Sequence, residues 1–361
     1  MSKHNIEPEE LDALFSNDTP LIDVRAPVES NLGCLPQAVN LPLLNDEERS
    51  QVGTIFKQKG QEAALNLGHE LIQGSVKADR INAWTEHLKK YPEAVIYCFR
   101  GGLRSQITRQ WLQAAGYDRP LLVGGYKKSR NHLVEKTNQI VTDSKIILVS
   151  GSTGSGKTEL IKSHESKPIS VDLEHLARHR GSAFGARLDQ QPSQINFENT
   201  LSAALLKNRL NTKNNLILLE DESRLIGKNI IPEILFNKMR ESSVIWIEAD
   251  LSERVDNIYK DYISNSDFDP FTFFAGFKKS VKSIEKKLGG VRSQEIASLL
   301  FESEAEFATS GRLEGNKQWI EKLLVYYYDP LYLGSIERRQ AKVAFKGSFK
   351  ECREFIAELQ A

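Results

Sequence analysis

Lys145-Ile146-Ile147-Leu148-Val149-Ser150 runs directly into Gly151-Ser152-Thr153-Gly154-Ser155-Gly156-Lys157-Thr158. An apolar run without polar alternation describes a strand covered on both faces, the arrangement of a parallel sheet in an α/β fold. The eight residues after it fit G-x-x-x-x-G-K-[ST], and a preceding strand is the context this pattern requires. Three glycines supply the backbone freedom that an anion-binding nest needs. The amides around Gly151, Gly154, Ser155 and Gly156 are expected to cradle a phosphate chain. Lys157 is expected to reach its terminal phosphates, with Thr158 a candidate ligand for Mg²⁺.

A second strand-to-loop junction lies upstream. Ala94-Val95-Ile96-Tyr97 delivers Cys98 into Phe99-Arg100-Gly101-Gly102-Leu103-Arg104, and a helical pattern starts at Ser105 and stops at Gly116. Loop amides and a helix N-terminus converge at such a junction and favour negative charge. Arg100 and Arg104 add to that field, so Cys98 is read as a reactive thiolate. A buried strand-end cysteine would act only as a small hydrophobe. Two glycines and two arginines within six residues argue against that.

The chain has 361 residues, which predicts two domains. Forty-eight basic residues balance 48 acidic ones, so any nucleic-acid surface must come from local clustering rather than net charge. No apolar run approaches the ~18–20 residues that cross a bilayer, so no membrane contact is expected. The polar, acidic start predicts no signal peptide. Three widely spaced cysteines, Cys34, Cys98 and Cys352, argue against a disulfide framework or a zinc site and for a reducing cytoplasm.

Ahead of Cys98 the pattern alternates. A short helix over 6–15 precedes the strand Leu21-Ile22-Asp23-Val24-Arg25, which Ala26-Pro27 stops. A loop with an extended piece over 33–42 comes next, then a polar, mostly helical insertion over 45–74 and a helix over 79–90. Leu121-Leu122-Val123 reads as a last strand before Gly124-Gly125-Tyr126-Lys127. Residues 1–130 are expected to form one α/β domain, 131–143 a linking helix, and 144–361 a parallel-sheet domain with a helical C-terminal part. Further strands are predicted over 168–173, 216–219 and 244–249, and mostly helix from Glu253 onward.

In the second domain, Leu216-Ile217-Leu218-Leu219 ends in Glu220-Asp221-Glu222-Ser223-Arg224. An apolar strand closing in carboxylates, about 60 residues after the phosphate loop, suits water-mediated Mg²⁺ binding or base catalysis. Which of Glu220, Asp221 and Glu222 acts is left open, and Arg224 is a candidate phosphate clamp. Asp172, His179 and Arg180 lie in a stretch dense in Asp, His and Arg that suits an anionic substrate. His175 and His179 have helical spacing but imply no third metal ligand.

Three pieces of the first domain resemble rhodaneses: Leu21 to Arg25, Gly33-Cys34-Leu35-Pro36-Gln37-Ala38-Val39-Asn40-Leu41-Pro42, and the Cys98 loop. That resemblance implies a loop cysteine handling a soft chalcogen, with loop amides stabilising its anion. Cys98 to Arg104 is Cys-x5-Arg, one residue longer than the ordinary rhodanese loop. It is similar in length to the loops of rhodanese-fold phosphatases and suits a larger anion. Phosphatase chemistry fused to an ATP-dependent kinase or NTPase is therefore a rival reading, although Tyr97 stands where such phosphatases usually have His. A third reading is a nucleotide switch with a sulfur-carrier module. Asp23 and Arg25 are read as a buried pair fixing the loop's surroundings, and Cys34 as structural.

The whole arrangement resembles the bacterial tRNA 2-selenouridine synthases. The resemblance rests on Cys98 to Ser105, Gly124 to Lys127, Gly151 to Thr158, His179-Arg180-Gly181-Ser182-Ala183-Phe184-Gly185 and Glu220 to Arg224. It implies replacement of sulfur by selenium at a wobble 2-thiouridine of tRNA, with selenophosphate as donor and a selenophosphate-producing enzyme as a possible partner. It also implies S-geranylation from geranyl diphosphate, which makes sulfur a better leaving group. The phosphate loop would then hold a prenyl diphosphate, and Cys98 would carry or orient selenium. Phe268, Phe271, Phe273, Phe274 and Phe277 form either a prenyl groove or a helical core. Candidate tRNA contacts are Tyr126, Lys127, Lys128 and Arg130, the cluster Lys278, Lys279, Lys282, Lys286 and Lys287, and the cluster Arg338, Arg339, Lys342, Lys346 and Lys350.

Overall fold

The computed structural model describes residues 5–163, 169–180, 190–212, 215–264, 270–332, 334 and 341–360. They form two compact units: Met1–Ile140 with Pro192–Leu210, and Val141–Gln191 with Asn211–Ala361. Among the described residues, no helix is long and apolar enough to cross a membrane.

The first unit is built on three short parallel strands, β1 (Leu21–Asp23), β2 (Ala38–Asn40) and β3 (Val95–Tyr97), in the order β2-β1-β3. β1 lies in the middle, with Asp23 opposite Asn40 on one side and Tyr97 on the other. Its position accounts for the complete burial of Leu21, Ile22 and Asp23. The helix expected over 6–15 is a 3₁₀ turn, Pro8–Glu10, followed by α1 (Leu11–Ser16). Leu121 to Val123 do not form a full strand. Leu121 bridges Ile96 and Leu122 bridges Ile6, which extends the sheet by single pairings.

Pro27 stops β1 and opens α2 (Pro27–Leu32), where its missing N–H costs nothing. The insertion is α3 (Asp46–Leu71), capped by Asn45 and Glu48 side chains and broken at Gly60, whose φ is +84°. α4 (Gly74–Lys90) follows and begins earlier than the pattern suggested. α5 (Leu103–Ala114) starts two residues ahead of Ser105. α6 (Gly125–Asp143) completes the run. Trp84 of α4 is the largest fully buried side chain and packs among Ile22, Ile96 and Leu112. Its indole N–H donates to the Leu41 carbonyl at 2.9 Å, so the ring buries no unpaired donor.

The second unit holds a parallel five-stranded sheet. Its strands are β4 (Lys145–Ser150), β5 (Ser170–Val171), β6 (Leu216–Glu220), β9 (Ser243–Ile247) and β10 (Val343–Gly347), in the order β10-β9-β4-β6-β5. A small hairpin, β7 (Leu225–Ile226) with β8 (Asn229–Ile230), intervenes in the chain. β4 is the central strand, and every residue of it after Lys145 is buried, as its unbroken apolar run predicts. Pro168, in the strand expected over 168–173, lies outside the described residues.

β10 is the one strand among the described residues after Glu253, a region that is mostly helical as expected. It is an edge strand with four of five residues at least partly exposed, and Lys346 sits on it. Short length and an edge lysine keep such strands from pairing further, and they also dilute the apolar signal. The rest of that region is helical as expected. The helices Pro270–Leu288, Gly290–Ser310 and Asn316–Leu323 enclose Phe273, Phe274, Phe277 and Trp319.

Candidate functional site

β3 ends at Tyr97, so Cys98 emerges at the C-terminal edge of the small sheet, where α5 begins. The thiol is buried and lies 3.3 Å from the Ser105 hydroxyl and 3.8 Å from the Gly102 carbonyl. Ser105 donates to the same carbonyl at 2.9 Å, so one turn of α5 braces the sulfur. Gly102 is the N-cap and supplies no side-chain cap, which leaves the first amides of α5 available to an anion.

A second turn holds the loop from below. The Cys98 carbonyl accepts from Tyr126 N–H at 2.9 Å, and the Phe99 carbonyl from Lys127 N–H at 3.0 Å. Gly101 and Gly125 both have positive φ, +67° and +57°. A Cβ on Gly125 would stand 2.3 Å from the Cys98 carbonyl oxygen and 2.5 Å from the Gly101 nitrogen. Gly124 to Lys127 is therefore part of the cysteine site and not a mere junction.

The arginines do not simply crown the thiol. Arg104 makes a two-pronged pair with Glu29, at 2.5 and 3.1 Å. Burial pushes the Glu29 carboxyl up, but the bonds and charge of Arg104 outweigh that and hold it below its ordinary value. Arg100 is exposed, with its guanidinium 5.9 Å from the Phe99 ring. Glu29 carries no motif, and only a buried partner for Arg104 would have pointed to it.

Behind the loop, Arg25 and Asp23 form the expected buried pair, with contacts of 2.6–3.1 Å, and Arg25 also donates to the Gly33 carbonyl at 2.7 Å. Burial opposes the guanidinium charge, but Asp23 outweighs it and raises the Arg25 pKa. Arg25 also lies 3.9 Å from the centre of the Tyr126 ring, which is itself buried. Tyr126 is thus braced between this cation and Phe99, while Lys127 is exposed. Cys34 is tied by three polar contacts to the helix Gln194–Asn211: its N–H and thiol to Asn196, and its carbonyl to Asn199. Burial raises its pKa, which suits the structural reading. Arg130 is engaged by Asn199 and Glu198 from the same helix.

In the second unit, β4 feeds the phosphate loop. Gly151, Gly154 and Gly156 have φ of +149°, +86° and +88°. A Cβ on Gly154 would come within 2.7 Å of the Arg254 carbonyl, so the loop is pressed onto the Leu251–Tyr259 helix. Arg254 and Asn257 donate to the Thr153 and Gly154 carbonyls at 2.9 Å each, which turns the loop's amides the other way. The Lys157 ammonium folds back onto the Gly151 carbonyl at 2.7 Å. Burial lowers its pKa, opposed by Glu222, Glu220, Glu174 and Asp221. Ser155 is buried at the loop's centre.

Thr158 donates to Glu174 at 3.4 Å. Asp172 caps the helix Leu173–Ala177 by accepting from His175 N–H at 2.7 Å. Glu220, at the end of β6, is 1% exposed, and neither carboxyl oxygen has a hydrogen-bond partner among the described residues. Burial, then Glu174 and Asp172, push it up to about 8, with the nearby Thr158 hydroxyl only partly offsetting them. Glu222 is also pushed up to about 8, by burial and then by Glu220. Asp221 accepts from Ser150 at 2.6 Å, a structural link between β4 and β6.

Among the described residues, no group of three or more His, Cys, Asp or Glu is arranged to hold a metal ion. The buried, unpaired Glu220 beside Thr158 nonetheless fits a hard cation that keeps most of its water. The Arg180 guanidinium lies 4.4 Å from the Tyr262 ring centre, and Arg224 is exposed. Residues 181–185 of the stretch after His179 lie outside the described residues, as do Phe268, Arg338 and Arg339. Phe273, Phe274 and Phe277 are buried in the helical core, so they offer no open groove. Lys278, Lys346 and Lys350 pair with Glu304, Glu248 and Glu354, whereas Lys279, Lys282, Lys286 and Lys287 are exposed along one helix.

The chain matches a rhodanese-like domain model over residues 7–132 and the tRNA 2-selenouridine synthase AAA domain model over residues 144–361. A tRNA 2-selenouridine synthase of Bdellovibrio bacteriovorus is 47% identical over 99% of this chain and 100% of its own. One of Nitrosomonas eutropha is 45% identical over 99% and 98%, and one of Shewanella frigidimarina 41% over 97% and 98%.

Two outcomes test this geometry. Gly125→Ala adds a Cβ in a left-handed turn against Cys98 and should cost about 1–3 kcal/mol in denaturant unfolding; an unchanged midpoint would contradict the packed turn. Between 4.5 and about 8 the folded protein holds protons on Glu220 and Glu222 that the unfolded chain has released. Its stability should therefore fall as pH rises through that window. Glu220→Gln should make the fall shallower, and an unaltered pH profile would show that Glu220 is not held protonated.

Proposed function

The chain belongs to the tRNA 2-selenouridine synthase family, and from that premise we propose that it replaces sulfur by selenium at a wobble 2-thiouridine of tRNA in two steps. The observation that carries this reading is the pairing in one chain of a braced cysteine loop with a phosphate loop that faces a buried carboxylate.

In the first step the thiocarbonyl sulfur attacks C1 of geranyl diphosphate. The C–O bond breaks, and pyrophosphate leaves with the electron pair and takes the proton that uridine N3 gives up. The nest amides and Lys157 stabilise the departing charge. Lys157 must let go of the Gly151 carbonyl to do so, a change that an arriving anion favours. Mg²⁺, held through Thr158 and Glu220, would neutralise pyrophosphate oxygens.

In the second step the selenium of selenophosphate attacks C2. The C2–S bond breaks, and geranyl thiolate leaves with the electron pair and is protonated. Water then cleaves the Se–P bond, giving phosphate and returning a proton to N3. Selenophosphate selenium is already at the selenide level, so direct attack needs no oxidant. Cys98 accordingly orients the donor at the amides of α5 and does not store selenium as a perselenide. Alkylation matters because a thiocarbonyl sulfur is a poor leaving group.

The phosphatase reading is weaker on this geometry. Such an enzyme needs the loop arginine on its anion, and Arg104 is committed to Glu29. The tRNA would track exposed cations such as Lys127 and Lys279. A cytoplasmic setting and a selenophosphate-producing partner follow from the same reading.

Cys98→Ala should abolish 2-selenouridine and leave S-geranyl-2-thiouridine, measured by nucleoside analysis of tRNA. Lys157→Ala should depress geranylation at least about tenfold, the order expected for losing a charge-stabilising donor. Normal selenation by Cys98→Ala, or tight ATP binding with turnover by the wild type, would overturn the reading.

A further inference from the structure

The helical insertion builds a cavity in the first unit. It encloses about 580 Å³, within the range of about 300–1,000 Å³ typical of small-molecule pockets. Its inner wall is apolar, formed by Leu44, Val52, Leu65, Ile72, Ile107 and Trp111. The polar lining residues Arg49, Lys57 and His69 are exposed, which places polarity at the rim. Leu103 and Arg104 also line the cavity, and they follow directly on Gly102, whose carbonyl meets the Cys98 thiol. Glu29 marks that end, held by Arg104 and, at 3.3 Å, by Arg49.

Two features suit a chain-like guest. The rim carries exposed apolar surface, Leu103 at 41% and Phe56 at 56%. The covering helix α3 is broken at Gly60, so two shorter helical pieces rather than one continuous rod cover the cavity. An apolar interior with a polar rim, sharing Leu103 and Arg104 with the end of the Cys98 loop, fits a ligand with a long hydrocarbon body and a polar end. Phe273, Phe274 and Phe277 of the second unit cannot serve, because their rings are filled core.

We propose that this cavity binds the ten-carbon prenyl chain on the sulfur of the wobble nucleoside and so presents C2 to the Cys98 loop. The assignment rests on the two-step reading above. It gives the insertion a function: burial of the chain supplies binding energy for the step that expels it.

The test uses full-length protein. Calorimetric titration should show geraniol binding at least about tenfold tighter than butanol, from the apolar surface each buries. Val52→Trp and Leu65→Trp, which fill the cavity, should each weaken geraniol about tenfold or more while leaving geranylation of 2-thiouridine RNA intact. Selenation of an S-methyl 2-thiouridine RNA by the variants, which needs the Cys98 loop of the same unit, shows that the cavity-bearing unit folds. No geraniol binding by the wild type, or equal binding by wild type and variants, overturns the inference. Selenation of stem-loop RNAs carrying S-geranyl or S-methyl 2-thiouridine separates it from the reading beneath it. If the variants lose only the S-geranyl substrate, the cavity is the prenyl site; if they treat both substrates as the wild type does, it is not. If the wild type selenates neither RNA yet binds geraniol as expected, the two-step reading fails and the prenyl site stands.

Discussion

The cysteine site depends on the approach of two backbone turns. The Gly124–Gly125 turn lies so close to the Cys98 loop that a Cβ on Gly125 would overlap the Cys98 carbonyl. The Tyr126 amide bonds that same carbonyl. This contact fixes the direction in which the loop's remaining amides point, and α5 then fixes the thiol through Ser105 and Gly102. The buried Asp23–Arg25 pair supports it from behind by holding both the Gly33 carbonyl and the Tyr126 ring. Breaking that pair would leave an uncompensated charge in the core, so it fixes the geometry more firmly than a surface bridge would.

The phosphate loop obeys the same logic, again with amides turned toward an anion. Arg254 and Asn257 occupy its carbonyls, which frees its amides for an anion. Lys157 and the crowded carboxylates Glu220, Glu222 and Glu174 are then poised against each other. Burial holds the Glu220 and Glu222 carboxyls above their ordinary range, and the lysine folds back onto the Gly151 carbonyl. On the proposed reading, a diphosphate with its cation would relieve both.

Much of this was legible in the residues. The unbroken apolar run of β4 announced a central parallel strand, and the glycines at 151, 154 and 156 announced a loop with positive φ. The Cys98 junction was equally plain, because strand, cysteine, glycines and helix are all local signals. What was hidden was non-local. Glu29 has no motif and meets Arg104 only through the fold. The grip of Asn196 and Asn199 on Cys34 joins residues some 160 positions apart. β10 was masked by its own edge lysine, and the phenylalanine cluster could not declare itself groove or core until its packing was known.

The proposed function asks one chain for two chemical steps, alkylation of sulfur followed by its displacement by selenium. It is tested most directly by a single-turnover time course of purified protein with a 2-thiouridine stem-loop, geranyl diphosphate and selenophosphate, followed by mass spectrometry of the nucleosides. S-geranyl-2-thiouridine is expected to rise first and decay as 2-selenouridine appears, with geranylthiol released in equal amount. Formation of 2-selenouridine at the same rate without geranyl diphosphate would contradict it.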